Sequence, residues 1–241
     1  MNSIVLITGA SRGIGRALAV AFGQRGDTVA VHYHSRRSEA EVTAKAVEEA
    51  GGRAGIFQGD IADPEQVKTL VDDVVKTWGR LDGLVANAGI AQDRSLFKMS
   101  PDDWRKVVDV NLSGTFWCVQ AGVRVMARQK EGFVVVVGSI VGVRGGVGCA
   151  NYAASKAGLL GLTRSVAREC GRYNVRVNAV LPGFHATDMS EKIPDPQKQA
   201  VREKHLLNRT TDLKDLCRLV LAVVDSPSVS GQVFNADSRV L

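Results

Sequence analysis

The sequence predicts a doubly wound α/β fold: a parallel sheet of about seven strands flanked by helices on both faces. Three features point there. Short apolar runs alternate with longer amphipathic segments along the whole chain, the signature of parallel strands joined by helical crossovers. The short runs are rich in Val and Ile and apolar at nearly every position, which suits a sheet buried on both faces. The first run ends in a glycine-rich turn that opens a helix.

The elements follow in order. Ser3 to Thr8 is a strand and Ile14 to Gln24 a helix. Thr28 to Tyr33 is a second strand, Glu39 to Ala50 a second helix, and Arg53 to Gln58 a third strand. Pro64 suits the first turn of a helix running to Trp78. Leu81 to Asn87 is a fourth strand, and Trp104 to Gln129 one long helix. Phe133 to Gly138, with four consecutive valines, is a fifth strand. A helix from Asn151 to Tyr173 and a strand from Val175 to Leu181 follow. A helix near Asp212 to Val224 and a strand at Gln232 to Asn235 close the chain. There is no internal repeat and no low-complexity linker, so one domain over residues 1–241 is expected. Two segments look irregular. Gly142 to Gly148 holds four glycines and reads as a mobile loop. Phe184 to Asn208 contains Pro194 and Pro196, is mostly polar, and reads as a lid over a site.

Bulk properties exclude several classes. Apolar residues make up 45% of the 241, enough for a sizeable core. No apolar run is long enough to span a bilayer, and Ile4 to Ile7 is too short for a signal peptide. A cytoplasmic protein is therefore expected. The four cysteines, Cys118, Cys149, Cys170 and Cys217, are far apart, with no CxxC and no Cys/His cluster. Neither a metal site nor a disulfide framework is expected, only reduced thiols. The net charge of +6 is spread along the chain without interleaved aromatics, which argues against nucleic-acid binding.

The first strand runs into Thr8-Gly9-Ala10-Ser11-Arg12-Gly13-Ile14-Gly15. Glycines at this spacing let the backbone turn tightly and approach a pyrophosphate near the positive end of a helix. Sites that prefer NAD place an acidic residue at the end of the second strand, where it accepts from the ribose 2′-OH. Here no acid appears before Glu39. Arg36 and Arg37 appear instead, and Arg12 lies in the glycine turn. Guanidinium groups match a phosphate in charge and geometry, so NADP(H) is expected.

Four polar positions stand out as a catalytic set. Tyr152 and Lys156 are spaced i, i+4 and share one helix face. Ser139 closes the fifth strand, at the carboxyl edge where open α/β sheets bind ligands. Asn111 interrupts an apolar stripe that includes Val108, Leu112, Phe116 and Val119. A free tyrosine has a pKa of about 10 and exchanges protons poorly at neutral pH. A nearby ammonium and an oxidised nicotinamide would favour its phenolate. Tyr152 could then give a proton to a ketone oxygen as hydride reaches the carbon, while Ser139 hydrogen-bonds that oxygen. Lys156 could also hold the nicotinamide ribose. Taken singly these are ordinary residues; their joint occurrence behind a dinucleotide turn gives them meaning.

With these motifs the chain resembles the short-chain dehydrogenase/reductase family over essentially its whole length, which implies a Rossmann-type fold. The resemblance rests on Gly9, Gly13 and Gly15, on Asn87-Ala88-Gly89, and on the tetrad Asn111, Ser139, Tyr152 and Lys156. It implies that Asp60, with Ile61 beside it, lies at the adenine. It implies that Pro182-Gly183 and Thr187 lie beside the nicotinamide carboxamide, and that Asn111 holds a water in a proton relay through Lys156. Within the family the stretches 138–142, 150–158 and 182–189 look most like bacterial 3-oxoacyl-(acyl-carrier-protein) reductases. That implies NADPH-dependent reduction of the β-ketone of an acyl thioester, and a homotetramer. Arg128, Lys130 and Arg172 could then steer an acidic carrier protein. Two departures stand out: Ala86 where the family usually has Asn, and a tail, Phe234 to Leu241, without the usual glycines. A dehydrogenase of small cyclic, sugar-like or aromatic compounds is an alternative. So is a cofactor-sensing protein without catalysis, against which the complete tetrad argues.

Overall fold

The computed structural model describes residues 2–185, 199 and 201–239. Seven parallel strands form one sheet in the order β3-β2-β1-β4-β5-β6-β7. The strands are β1 (Ile4–Ile7), β2 (Thr28–Tyr33), β3 (Arg53–Gln58), β4 (Gly83–Ala86), β5 (Gly132–Val137), β6 (Val175–Leu181) and β7 (Val233–Asn235). The α-helices that lie wholly among the described residues are α1 (Gly13–Gln24), α2 (Arg37–Glu49), α3 (Pro64–Trp78), α4 (Pro101–Val108), α5 (Gly114–Gln129), α6 (Val141–Arg144), α7 (Ala150–Cys170) and α8 (Leu213–Val224).

Strand pleating sends alternate side chains to opposite faces, which makes two cores. Leu6, Leu84, Val134 and Val136 face α3, α5 and α7, where they meet Leu70, Val119 and Leu159. Val5, Ile7, Val135 and Val137 face α1, α2 and α8, where they meet Phe22, Val47 and Val220. The unbroken apolar strands of the sequence follow from this double cover.

Helix ends carry readable signals. Asp63 caps α3 by accepting from the Glu65 and Gln66 amides, and Gly79 ends it at φ +82°. Ser100 and Asp103 form a reciprocal capping box at the start of α4.

Three expectations change. The long helix expected from Trp104 is preceded by a turn starting at Pro101, and a π-helical turn, Asp109–Ser113, interrupts it. The helix expected to reach Tyr173 ends at Cys170 in a 3-10 turn, Gly171–Tyr173, with Asn174 at φ +57°. The glycine segment 142–148 is partly ordered: α6 covers its start and Gly145 stops that helix at φ +72°. Most of the segment expected as a lid, and Thr187 with it, lies outside the described residues.

Gly83 and Phe133 are cross-strand partners, and a Cβ on Gly83 would sit 2.1 Å from Phe133 Cζ. The ring cannot yield easily, because it also stacks on Phe22 with planes 6° apart. Gly83→Ala should therefore destabilise the fold by about 1–3 kcal/mol through overpacking. Urea denaturation measures it; an unchanged midpoint would mean that the ring is free to move.

Candidate active site

The turn between β1 and α1 is built by packing. Gly9 has φ +63° and Gly13 φ +57°, both in the left-handed region. A Cβ on Gly15 would lie 2.3 Å from the Gly9 carbonyl oxygen, and one on Gly9 would lie 2.9 Å from Ala88 Cα. Asn87 Nδ2 donates to the carbonyls of Thr8 at 2.9 Å and Gly9 at 3.2 Å. Thr8 Oγ1 in turn accepts from the amides of Asn87 and Ala88, each at 3.0 Å. The Ala86 substitution leaves this clamp intact, because Asn87 supplies it. Arg12 at the N-cap of α1 makes no side-chain cap, and the first turn carries no acid. The helix thus opens with amide groups and a positive dipole end, a setting suited to a phosphate.

A cleft of about 650 Å³ runs along the carboxyl ends of the strands. Its wall includes Gly9, Ser11, Arg12, Gly13, Ile14 and Gly15 at the turn. Arg36, Asp60 and Ile61 follow on one side, and Asn87, Ala88 and Gly89 across from the turn. Tyr152, Lys156 and Pro182 close the far end. The size is that of a small-molecule or cofactor site.

The two arginines part company. Arg36 lines the cleft and pairs with Glu39 at 2.6 Å. Arg37 does not line it, because α2 begins there and its guanidinium reaches Glu41, one turn on, at 2.9 Å. Both pairs are exposed, so neither is strong. Gly183 also falls outside the wall: a Cβ on it would meet Thr211 Oγ1 at 2.1 Å. Behind it the C-terminal tail is held by Asp237, buried against His205 Nε2 at 2.9 Å and hydrogen-bonded by Arg239 Nε at 2.6 Å. Burial raises the Asp237 carboxyl, but the Arg239 hydrogen bonds and the Arg239 and His205 charges bring it below its ordinary value.

Asn111, Ser139, Tyr152 and Lys156 come together at the far end. The π turn presents Asn111, whose Oδ1 accepts from the Ile90 amide at 2.8 Å. Its Nδ2 donates to the Ile90 carbonyl at 2.9 Å and to Ser155 Oγ at 3.2 Å. The polar residue in the apolar stripe thus stitches the loop after β4 to α7. A Cβ on Gly89 would lie 3.1 Å from Asn111 Oδ1 and 3.6 Å from Lys156 Nζ, so the missing side chain leaves room for both. Lys156 is 4% exposed, and its ammonium donates to the Val137 carbonyl at 2.8 Å. It stands 5.8 Å from the centre of the Tyr152 ring.

Burial pushes the Tyr152 phenol above its ordinary value, and a hydrogen bond with the Ser139 hydroxyl pulls part of the way back. Asp93 and Cys149 add to the rise. The lowering expected from the neighbouring ammonium is thus not what governs the protein by itself; burial governs. Tyr152 stays protonated at neutral pH, which suits a proton donor. Burial also brings the Lys156 ammonium down to about 8.

Sequence reasoning missed several wall residues, among them His32, His34, Lys106 and Asp109. Lys106 and Asp109 flank the start of the π turn, which periodicity alone does not reveal. Among the described residues there is no cluster that could hold a metal and no helix long and apolar enough to cross a membrane. Cys118, Cys149, Cys170 and Cys217 are free thiols.

Comparison with known proteins agrees with this geometry. A short chain dehydrogenase family model matches residues 3–198. The chain belongs to that family. A 3-oxoacyl-[acyl-carrier-protein] reductase of Staphylococcus aureus is 38% identical over 98% of this chain and 97% of its own length. A reductase of the same name from Thermotoga maritima is 39% identical over 100% of this chain and 98% of its own. A Sinorhizobium meliloti crystal structure described as a short-chain alcohol dehydrogenase superposes with TM-score 0.94 at 33% identity, covering 99% of this chain and 96% of that one. The chain is thus an oxidoreductase of the family that works with a nicotinamide cofactor. The cradle fits such a group: a glycine turn with positive φ, uncapped helix amides, and a cleft ending at Tyr152 beside the buried Lys156.

A buried ammonium is a stability cost that can be read. Between pH 8 and 10.5 the native state has lost the Lys156 proton while the unfolded chain retains it, so native stability rises with pH across that window. Relative to Lys156→Met, the parent should gain about 3 kcal/mol from pH 7 to 10.5. Urea denaturation of both proteins at the two pH values measures this. An unchanged difference would mean that the ammonium is well solvated.

Proposed function

We propose that the protein reduces the 3-keto group of an acyl thioester to the 3-hydroxy product with NADPH. The observation that carries the reading is the half-buried Tyr152, hydrogen-bonded to the buried Ser139 and beside the buried Lys156, at the end of a cleft that begins in the glycine turn. The names of the Staphylococcus aureus and Thermotoga maritima relatives, matched over nearly their full lengths, supply the substrate class.

The bound cofactor supplies a hydride to the carbonyl carbon. As charge grows on the carbonyl oxygen, the Ser139 hydroxyl donates a hydrogen bond to it and the Tyr152 phenol gives it a proton. Lys156, anchored on the Val137 carbonyl, keeps a positive charge near the phenol and holds the nicotinamide ribose. Asn111, locked onto Ile90 and Ser155, fixes the wall beside Lys156 and orders water there for proton resupply. Gly9, Ser11, Arg12, Gly13, Ile14 and Gly15 hold the pyrophosphate, and Asp60 with Ile61 the adenine. Asn87, Ala88 and Gly89 border the nicotinamide ribose and Pro182 the carboxamide, where the family resemblance also puts Gly183, which stands behind the wall, and Thr187, which lies outside the described residues. NADP(H) is favoured because Arg12 and Arg36 stand in the wall while β2 ends without an acid. Arg37, paired with Glu41, adds only to the local field.

On this reading the protein is a cytoplasmic homotetramer acting in fatty acid synthesis, as one domain with a lid around 184–208. Arg128, Lys130 and Arg172 attract an acyl carrier protein.

The test is NADPH oxidation with acetoacetyl-CoA, with NADH in parallel and with Tyr152→Phe. Rapid loss of NADPH but not NADH is expected. Tyr152→Phe should bind NADPH normally and lose about 100-fold or more in turnover. No turnover of the thioester despite NADPH binding would move the substrate to a small ketone or alcohol.

A further inference from the structure

β2 is buried along its whole length and apolar at Val29, Ala30 and Val31, yet position 32 is histidine. It is only 2% exposed, and its side chain spans from the glycine turn to Gly59, the residue before Asp60. On one side Nδ1 accepts from the Gly9 amide at 3.0 Å. On the other Nε2 lies 3.1 Å from the Gly59 carbonyl oxygen. Both partners are backbone groups, so the roles are forced: an amide can only donate and a carbonyl can only accept. The ring must be neutral, with its proton on Nε2. The His32 carbonyl also accepts from the Ala10 amide at 2.9 Å. One residue therefore pins two successive amides of the glycine turn, while Asn87 holds the turn's carbonyls from the opposite side.

We propose that His32 is a positioning residue of the dinucleotide site, whose imidazole ties the glycine turn to the end of β3 and sets the turn in the shape that receives the phosphates. The inference rests on reading the cleft as a nicotinamide-dinucleotide site. Gly59 leads directly into Asp60 and Ile61, which line the cleft, so the ring fixes the distance between the pyrophosphate and adenine ends. A turn held in its bound shape before the ligand arrives avoids ordering it on binding.

The protonation state of the ring suits the task. Burial lowers His32 to about 4, while the Gly59 hydrogen bond and the Asp60 charge oppose the fall and His34 adds to it. The titratable groups facing the ring are His34, just after β2, and Asp60 after β3; near Gly59, α3 presents Gln66 and Leu70, which do not titrate. The brace thus stays neutral at physiological pH. Below about 6.5 the unfolded chain takes up a proton that the native state refuses, so this contribution weakens as pH falls toward 4.

The test compares His32→Asn with His32→Leu. The two side chains branch alike, but only Asn has an oxygen able to accept from Gly9. Two quantities are read: the NADPH dissociation constant by fluorescence titration, and amide exchange of the Gly9 peptide in ligand-free protein. Leu should speed Gly9 exchange and weaken NADPH about tenfold, the worth of one hydrogen bond. Asn, which can accept from Gly9 but is too short to reach the Gly59 carbonyl, should keep Gly9 exchange within about twofold of the parent and weaken NADPH by no more than about threefold. In both variants kcat at saturating NADPH should hold while KM for NADPH rises with the dissociation constant. Equal weakening by Asn and Leu, or none by either, would overturn the inference. If Leu did not fold, a tenfold loss in a folded Asn variant would overturn it alone. A parent that bound neither NADPH nor NADH would overturn the cofactor reading and this inference with it. Unchanged Gly9 exchange in the Leu variant, beside normal NADPH binding by the parent, would overturn this inference only.

Discussion

β1 and β4 lie side by side, but the chain leaves them in opposite directions: from β1 toward β2 and β3, from β4 toward β5, β6 and β7. No crossover covers the gap between their carboxyl ends, and a crevice opens there. The crevice can exist only if the two departing loops pack without side chains in the way. Gly9 against Ala88, and Gly15 against the Gly9 carbonyl, meet that condition. The cleft, the uncapped start of α1 and the approach of Asn87 to the turn all follow from this close packing.

Stability and chemistry pull apart at the far end of the crevice. An ammonium with one carbonyl partner in a buried site is costly, and a sequence selected for stability alone would place an apolar residue at position 156. The same burial keeps the Tyr152 phenol protonated and sharpens every charge around it. Asn111 shows the complementary strategy. It is fully buried, but both its amide ends are satisfied, so a polar group is carried in the core with its hydrogen bonds intact. The π turn that presents it is a local irregularity kept in the middle of a helix, as such bulges are at functional sites.

Much of this was legible in the residues. β2, β3, α3 and β6 have the limits read from their apolar runs and from Pro64, because periodicity and capping act locally. Fifteen of the expected cofactor-site residues, from Gly9 to Pro182, do line one cleft. What was not legible depended on tertiary contacts. Nothing in 109–113 marks a π turn, since the apolar stripe reads through it. The Ser100–Asp103 box could have moved the start of α4 to Pro101, because that signal is local. The separate paths of Arg36 and Arg37 turn on where α2 begins, a matter of two residues. His32 carried no signal at all: its partners are backbone groups of two other loops, which only the folded sheet brings together.

The central claim is that a hydride passes from the cofactor to a carbonyl carbon held beside Tyr152. The most direct measurement is mass analysis of the 3-hydroxy product made from acetoacetyl-CoA with NADPH deuterated at one nicotinamide C4 position, then at the other. One deuterium on the carbinol carbon from one of the two labelled cofactors is the predicted result. Product that carries no deuterium from either would contradict the account.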